Sequence, residues 1–108
     1  MEMHNYLGHG FLEIVYKDAL EIEFKENLIT YEREKEFTIK YKQHILIRKF
    51  YSDFFVMDKI IVEIKSTKER VSNDYTTQTL NCLKASGCKL GLIANVGKPS
   101  LEYKRLIF

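Results

Sequence analysis

Between residues 51 and 66 the sequence YSDFFVMDKIIVEIKS contains two runs of β-branched and aromatic residues separated by a short polar break. Such a break predicts two antiparallel strands joined by a tight turn. If the turn is centred on Asp58, Asp53 faces Glu63, and opposite residues share one face of a sheet. Strand alternation adds Lys65 to that face. The other face is then wholly apolar and consists of Phe54, Val56, Ile60, Val62 and Ile64.

Two carboxylates and a lysine therefore meet on one side of the predicted sheet. Because neighbouring carboxylates disfavour each other's ionisation, we expect at least one of them to have a raised pKa when no metal is bound. A hard divalent cation such as Mg²⁺ favours an oxygen-rich site of this kind. The alternative is a solvated strand face on which Lys65 neutralises Glu63, and the residues alone favour neither interpretation.

The rest of the chain alternates helical and strand patterns. Apolar residues at helical spacing predict a first helix from about Phe11 to Leu28, with Asn27 as its stop signal. The predicted apolar face of this helix consists of Leu12, Val15, Tyr16, Ala19, Leu20, Ile22 and Phe24. Residues 72–74 are types that cap the start of a helix, and Gly87 is a type that ends one, so a second helix is predicted between them. The predicted strands are 30–42, 44–57, 59–66, 90–96 and 103–107, of which the first three form an antiparallel meander. We therefore predict an α/β fold with a mixed β-sheet flanked by helices.

Composition limits the classes of protein that the chain can belong to. A chain of 108 residues with 45% hydrophobic residues is long and apolar enough for one domain with its own core, which excludes intrinsic disorder. Its two cysteines, Cys82 and Cys88, are too few for a secreted disulfide framework and predict reduced thiols in the cytoplasm. We expect no membrane association, because no apolar stretch is long enough for a span and the first residues do not resemble a signal peptide.

Charge is distributed unevenly along the chain. Residues 1–36 contain nine acids and four bases, whereas residues 37–108 contain six acids and thirteen bases. A basic surface facing phosphates is one interpretation of this asymmetry, and a solvated mixture of charges is the other. The candidate phosphate contacts are Lys68, Arg70, Lys104 and Arg105, for which plain surface charge is an equally good explanation.

Two motifs together resemble a known family. Asp53, followed ten residues later by Glu63-x-Lys65 across a hairpin, resembles the signature of the PD-(D/E)XK nuclease superfamily. The segment GFLEIVY, residues 10–16, is similar to the motif of the GxxExxY protein family within that superfamily. The similarity continues through TTQTLNCLKASG, LGLIANVG and the final KRLIF, and it covers essentially the whole chain.

The resemblance implies both a fold and an activity. The fold would be a restriction-endonuclease-like αβββαβ core in a single domain over residues 1–108, with a first helix that is shortened at the N-terminus. The activity would be that of a nuclease that depends on Mg²⁺, or on Mn²⁺, and hydrolyses nucleic-acid phosphodiester bonds, with DNA preferred to RNA as partner. The alternatives are a catalytically inactive module that binds nucleic acid or protein, and a hydrolase acting on another phosphodiester.

The resemblance also implies roles for individual residues. Asp53 and Glu63 would hold the metal with the help of Glu13 and the backbone carbonyl of Ile64. Lys65 would orient or deprotonate the attacking water.

Helix geometry supports Glu13 independently, because it falls at the edge of the apolar sector of the first helix and points partly inward. Gln78 would act from the second helix, as a residue that orients water or phosphate or as a buried polar contact. Where the family has a tyrosine and a histidine on that helix, this chain has Cys82 and Tyr75. Gln78 is therefore the one residue of the helix to which the resemblance assigns a role.

Overall fold

The computed structural model describes residues 6–8 and 12–107. From residue 12 to residue 107, two helices and five strands follow one another in the order helix, three strands, helix and two strands. We label them α1 (Glu13–Glu26), β1 (Tyr31–Tyr41), β2 (His44–Val56), β3 (Ile60–Lys65), α2 (Asn73–Ser86), β4 (Leu90–Asn95) and β5 (Glu102–Ile107). The predicted elements are therefore confirmed, with ends that differ by a few residues. Phe11, the expected start of the first helix, lies outside the described residues.

The five strands form one sheet in the order β1-β2-β3-β4-β5. All neighbouring pairs are antiparallel except β3 and β4, which run parallel. Parallel neighbours require a crossover connection, and α2 provides it. The predicted α/β class, the mixed sheet and the meander of the first three strands are confirmed.

Helix α1 packs against one face of the sheet through Tyr16 and Leu20, both buried. The helix ends at Asn27, whose side-chain Nδ2 donates to the carbonyl of Glu23 at 2.8 Å. The spacing predicts Leu12 and Ile22 on the apolar face, but they are 75% and 57% exposed, so the prediction is wrong for these two residues. Phe24 is the residue near this end of α1 that packs, and its ring lies 5.3 Å from that of Phe54.

Helix α2 begins and ends where its capping residues predict. Ser72 Oγ accepts a hydrogen bond from the backbone N–H of Tyr75, and Gly87, with a φ of 80°, ends the helix in the left-handed conformation. The helix approaches the sheet closely at Gly91, where a Cβ would lie 2.8 Å from Leu83 Cδ1. A larger residue at Gly91 would require the buried Leu83 side chain to move.

The sheet has a hydrophobic core on each face. The α1 side comprises Tyr16, Leu20, Phe54, Val56, Val62, Ile64, Ala94 and Val96. The α2 side comprises Ile61, Val71, Leu83, Ile93 and Leu106. The apolar face predicted for the central hairpin is confirmed, since its residues belong to the first of these cores or pack against it. Within residues 6–8 and 12–107, neither helix has the length and apolar character needed to cross a bilayer.

Candidate active site

The β2–β3 hairpin has the register expected from the sequence. Val56 pairs with Ile60 and Phe54 with Val62, so the turn contains three residues and is centred on Asp58. Asp58 itself has a φ of 53° and occupies the turn, as predicted. Continuing the same register brings Asp53 opposite Glu63 at the far end of the hairpin.

Asp53 lies where β2 and β3 separate. Their backbone pairing runs from Val56 back to Phe54 and goes no further. One residue beyond, Asp53 Oδ2 accepts a hydrogen bond of 2.7 Å from the backbone N–H of Ile64. The Asp53 carboxylate therefore satisfies a donor that β2 no longer reaches with its backbone, and this contact fixes the side chain beside β3.

Lys17 on α1 contacts the other oxygen of Asp53. Its Nζ lies 2.7 Å from Asp53 Oδ1, and both side chains are 14% exposed. Burial would lower the pKa of Lys17, but the hydrogen bond and charge of Asp53, with smaller effects of Glu34 and Glu13, raise it instead. Lys17 is therefore charged and neutralises part of the negative charge at this site.

Glu63 is the most perturbed carboxyl of the candidate site. It is 7% exposed, and within the described part of the chain its Oε1 is buried with no hydrogen-bond partner. Burial and then the charge of Asp53 raise the pKa of Glu63 to about 9, although Lys17 acts in the opposite direction. The expectation that one carboxyl of this group has a raised pKa is confirmed. Glu63 is thus protonated at neutral pH when nothing compensates its charge.

Glu13 reaches the same end of β3 from the first turn of α1. Its Oε1 accepts a hydrogen bond of 3.1 Å from the backbone N–H of Ser66, directly after Lys65. Its charge contributes to the raised pKa of both Lys17 and Tyr75, so the three groups share one electrostatic environment. The fold therefore brings Glu13 towards the hairpin carboxylates, and its role as a metal ligand stays a prediction.

Lys65 lies against an aromatic ring of α2. Its Nζ is 4.5 Å from the centroid of the Tyr75 ring, a distance at which the ring face attracts the ammonium group. Burial raises the pKa of the Tyr75 hydroxyl most, and the nearby Glu63 and Asp53 raise it further. Tyr75 is therefore neutral and forms one wall beside Lys65.

The other predicted residues lie around this centre. Gln78 is exposed on α2, three residues after Tyr75, and its role stays a prediction. Among the candidate phosphate contacts, Lys68, Arg70 and Arg105 are exposed and Lys104 is half-buried. The Cys82 side chain lies outside the described part of the chain. Tyr16 packs as the sequence indicates, with its hydroxyl donating to the Gly8 carbonyl at 2.9 Å.

Asn95, which the sequence analysis missed, holds the segment that follows Lys65. Its buried Oδ1 accepts from the backbone N–H groups of Thr67 and Gly97, each at 3.1 Å. Its Nδ2 donates to the Glu69 carbonyl at 3.0 Å and to Glu102 Oε1 at 3.1 Å. Asn95 therefore fixes the loop after β3. A polar residue at the end of an otherwise apolar strand was the available signal.

Lys17 was missed as well. Its spacing of four residues from Glu13 placed both on one side of α1, and this was the signal that could have found it.

The donor set can be tested for its fit to a metal ion. Among the described residues, no three His, Cys, Asp or Glu side chains form a cluster that could hold one. Two carboxyl groups nevertheless adjoin each other, and one has a buried oxygen without a partner. A buried polar atom without a partner costs free energy, and a hard cation would satisfy this one. Glu63 Oε1 is therefore the oxygen of this pair that fits a divalent cation directly, whereas both Asp53 oxygens already contact Lys17 or the Ile64 N–H.

Comparisons with known proteins agree with this fold. The PD-(D/E)XK nuclease superfamily matches the chain over residues 1–106. The crystal structure of SSO0001 superposes with a TM-score of 0.66 and 18% sequence identity, over 86% of this chain. The chain spans 48% of the length of that protein, and at this identity the likeness concerns the fold alone. No curated protein sequence matches significantly.

The mixed five-stranded sheet with its two helices is consistent with a restriction-endonuclease-like core, and its central hairpin carries the acidic pair and the lysine. The chain belongs to the PD-(D/E)XK nuclease superfamily, whose members typically use divalent metal ions.

Proposed function

We propose that the protein is a metal-dependent nuclease that hydrolyses nucleic-acid phosphodiester bonds, and that it belongs to the GxxExxY branch of its superfamily. The observation that carries the proposal is Glu63, a buried carboxyl with an unpartnered oxygen beside Asp53. A residue with a strongly raised pKa, next to a specific charge partner, is typical of a functional site. Most buried polar atoms in proteins have a hydrogen-bond partner, so the unpartnered oxygen of Glu63 needs an explanation, and a bound cation supplies one.

The residues divide the work of the reaction. Asp53 and Glu63 would hold Mg²⁺ or Mn²⁺, with Glu13 and the carbonyl of Ile64 as further ligands. A divalent cation there supplies positive charge against the phosphate and lowers the pKa of water. Lys65 orients the attacking water and stabilises the charge that develops on the phosphate oxygens.

The substrate and the setting are part of the same proposal. The partner is nucleic acid, with DNA preferred to RNA, and Gln78 contacts water or phosphate from α2. Residues 1–108 form one domain. We place this activity in the cytoplasm, because the two cysteines are taken to be reduced thiols.

The proposal is tested by incubating the protein with single-stranded and duplex DNA and RNA in Mg²⁺, Mn²⁺ or EDTA. We expect cleavage that requires the metal. Asp53→Ala and Glu63→Ala are each expected to lose both cleavage and metal binding. Asp58→Asn, in the turn of the same hairpin, is the matched control and is expected to cleave as the wild type does.

Lys65→Ala separates the roles of the hairpin residues. We expect it to bind the metal at least as tightly as the wild type, since a nearby positive charge is gone, and to lose cleavage by about 100-fold or more. Lys65→Arg is not expected to restore full activity, because a planar guanidinium does not replace a compact ammonium. Equal cleavage by Lys65→Ala and the wild type would contradict the mechanism.

A second candidate function is a nucleic-acid or protein interaction module without turnover. The ion pair between Lys17 and Asp53 favours it, because the protein already supplies a positive charge at the carboxylates. Binding that weakens steeply with salt, without cleavage in any metal, would support this second function over the first.

A further inference from the structure

The β1–β2 hairpin extends away from both cores as an arm, residues 40–49. Every residue of the arm is exposed, although the strands alternate their faces, so both sides of the ribbon are in contact with solvent. Its apolar residues are exposed as well, with Ile47 at 97%, Ile45 at 62% and Tyr41 at 60%. Such a ribbon contributes little to the folded core, which points to a role in binding.

The charge of the arm has one sign. The arm contains four bases, Lys40, Lys42, Arg48 and Lys49, and no acid. Lys49 is paired with Glu36, at 3.4 Å. The other three form no ion pair with any described residue. They therefore present positive charge that the protein itself does not neutralise.

The arm lies at the same end of the sheet as the candidate site. Strand β2 runs from the arm through Asp53 to Val56, and Val56 pairs with Ile60 at the start of β3. Because β2 and β3 are antiparallel, the arm continues past the end of β3 that carries Glu63 and Lys65. Arg48 precedes Asp53 by five residues of strand, about 17 Å. That length corresponds to about five nucleotide steps of a B-form strand.

We propose that the arm binds the phosphate backbone of the nucleic acid on one side of the bond to be cut, an inference that rests on the proposed function. A two-stranded ribbon has the width to enter the major groove of a duplex, and the exposed ring of Tyr41 supplies a surface on which an unpaired base can stack. A second copy that meets this one arm to arm is disfavoured as the occupant, because two arms carrying the same charge repel each other.

The test measures nucleic-acid binding in EDTA, where no cleavage occurs. The probes are short fluorescein-labelled oligonucleotides, single-stranded and duplex, titrated at several salt concentrations. The arm variant is Lys40→Gln/Lys42→Gln/Arg48→Gln. The matched control, Lys25→Gln/Lys59→Gln/Lys89→Gln, removes the same charge from exposed residues outside the arm. A charge-conserving variant, Lys40→Arg/Lys42→Arg, tests whether charge alone is required.

We expect the arm variant to bind about tenfold or more weakly at ~0.1 M salt, with a log–log salt slope reduced by about 2 to 3. The control and the charge-conserving variant are expected to stay close to the wild type. The proposal would be overturned if the arm variant and the control lost nucleic-acid affinity equally. It would also be overturned if the wild type bound none of the oligonucleotides. A wild-type dimer that the arm substitutions dissociate, with nucleic-acid affinity unchanged, would assign the arm to a second copy and also overturn it.

Cleavage assays in Mg²⁺ distinguish this proposal from the proposed function. If the arm variant loses nucleic-acid binding and the wild type cuts nothing, the arm proposal is supported and the nuclease proposal is contradicted. If the wild type cuts and the arm variant binds nucleic acid normally, the nuclease proposal is supported and the arm proposal is contradicted.

Discussion

Lys17 Nζ lies 2.7 Å from Asp53 Oδ1, in an ion pair that is largely shielded from solvent. The contact joins α1 to β2 at the point where β2 leaves β3. It gives the carboxyl pair a positive charge from the protein itself, so the ammonium and an added cation would compete for the same negative charge.

Replacing Lys17 is therefore expected to strengthen metal binding. Lys17→Met leaves Asp53 without its counter-ion, and we expect Mn²⁺ affinity to rise by about tenfold, the equivalent of about 1.4 kcal/mol. The same change is expected to lower the melting temperature in EDTA, because a shielded charge has lost its partner, and Mn²⁺ should restore it. Titration calorimetry and thermal melts measure the two effects. Lys25→Met, on the exposed side of the same helix, is the control, and weaker Mn²⁺ binding by Lys17→Met would contradict the competition.

Glu63 is expected to make the metal-free protein less stable as pH rises. Its pKa is about 9 in the folded protein and ordinarily 4.5, so between these values the folded state holds a proton that the unfolded state has lost. The free energy of unfolding therefore falls with increasing pH in this window, by at most about 1.4 kcal/mol per pH unit from this group.

Glu63→Gln removes that contribution. Urea denaturation in EDTA at a series of pH values should show the variant gaining stability relative to the wild type from pH 5 to pH 9. Parallel profiles would show that Glu63 titrates normally.

Tyr75 is expected to act on the reaction through the ammonium of Lys65. Tyr75→Leu keeps apolar bulk but removes the ring face, and we expect kcat to fall by about threefold to tenfold with little change in KM, from the loss of about 1 kcal/mol of cation–π attraction. Tyr75→Phe keeps the ring and is expected to retain most of the wild-type kcat. If Tyr75→Phe is as slow as Tyr75→Leu, the hydroxyl rather than the ring is required.

Gly97 is expected to accept no side chain. A Cβ at this position would overlap the backbone nitrogen of Thr67 and lie 2.7 Å from its carbonyl oxygen. Gly97→Ala should therefore shift the loop after β3 and cost about 1–3 kcal/mol of stability, measured by denaturation. Gly87→Ala, where a Cβ meets nothing within 4 Å but the φ is 80°, is the comparison for strain without a clash. A Gly97→Ala protein as stable as the wild type would contradict the close approach.

Local patterns were sufficient to predict most of the fold. The register of the central hairpin followed from strand alternation and from a turn around Asp58, because a slip of one residue would move an apolar face into solvent. The ends of α2 followed from Ser72 and Gly87, whose chemistry acts within a few residues of sequence. Hydrophobic spacing failed at Ile22, because spacing does not reveal how much of a helix the neighbouring sheet covers.

The candidate site was only partly predictable, for a related reason. Asp53 and Glu63 adjoin each other through one hairpin, so their proximity is a local property of the chain. The contacts of Lys17 with Asp53 and of Asn95 with Glu69 join segments far apart in sequence. They depend on where helix and loop lie on the sheet, and no periodicity within one segment encodes that placement.

The three residues between Val56 and Ile60 also set a constraint on redesign. Deleting one of them would slide β3 by one position against β2 and exchange its two faces, so that apolar side chains would replace Glu63 and Lys65 beside Tyr75. The turn therefore acts as a spacer whose length matters more than its composition. A protein engineer is free to vary residues 57–59, with glycine or asparagine suited to the positive φ angles of Met57 and Asp58, but has to keep their number.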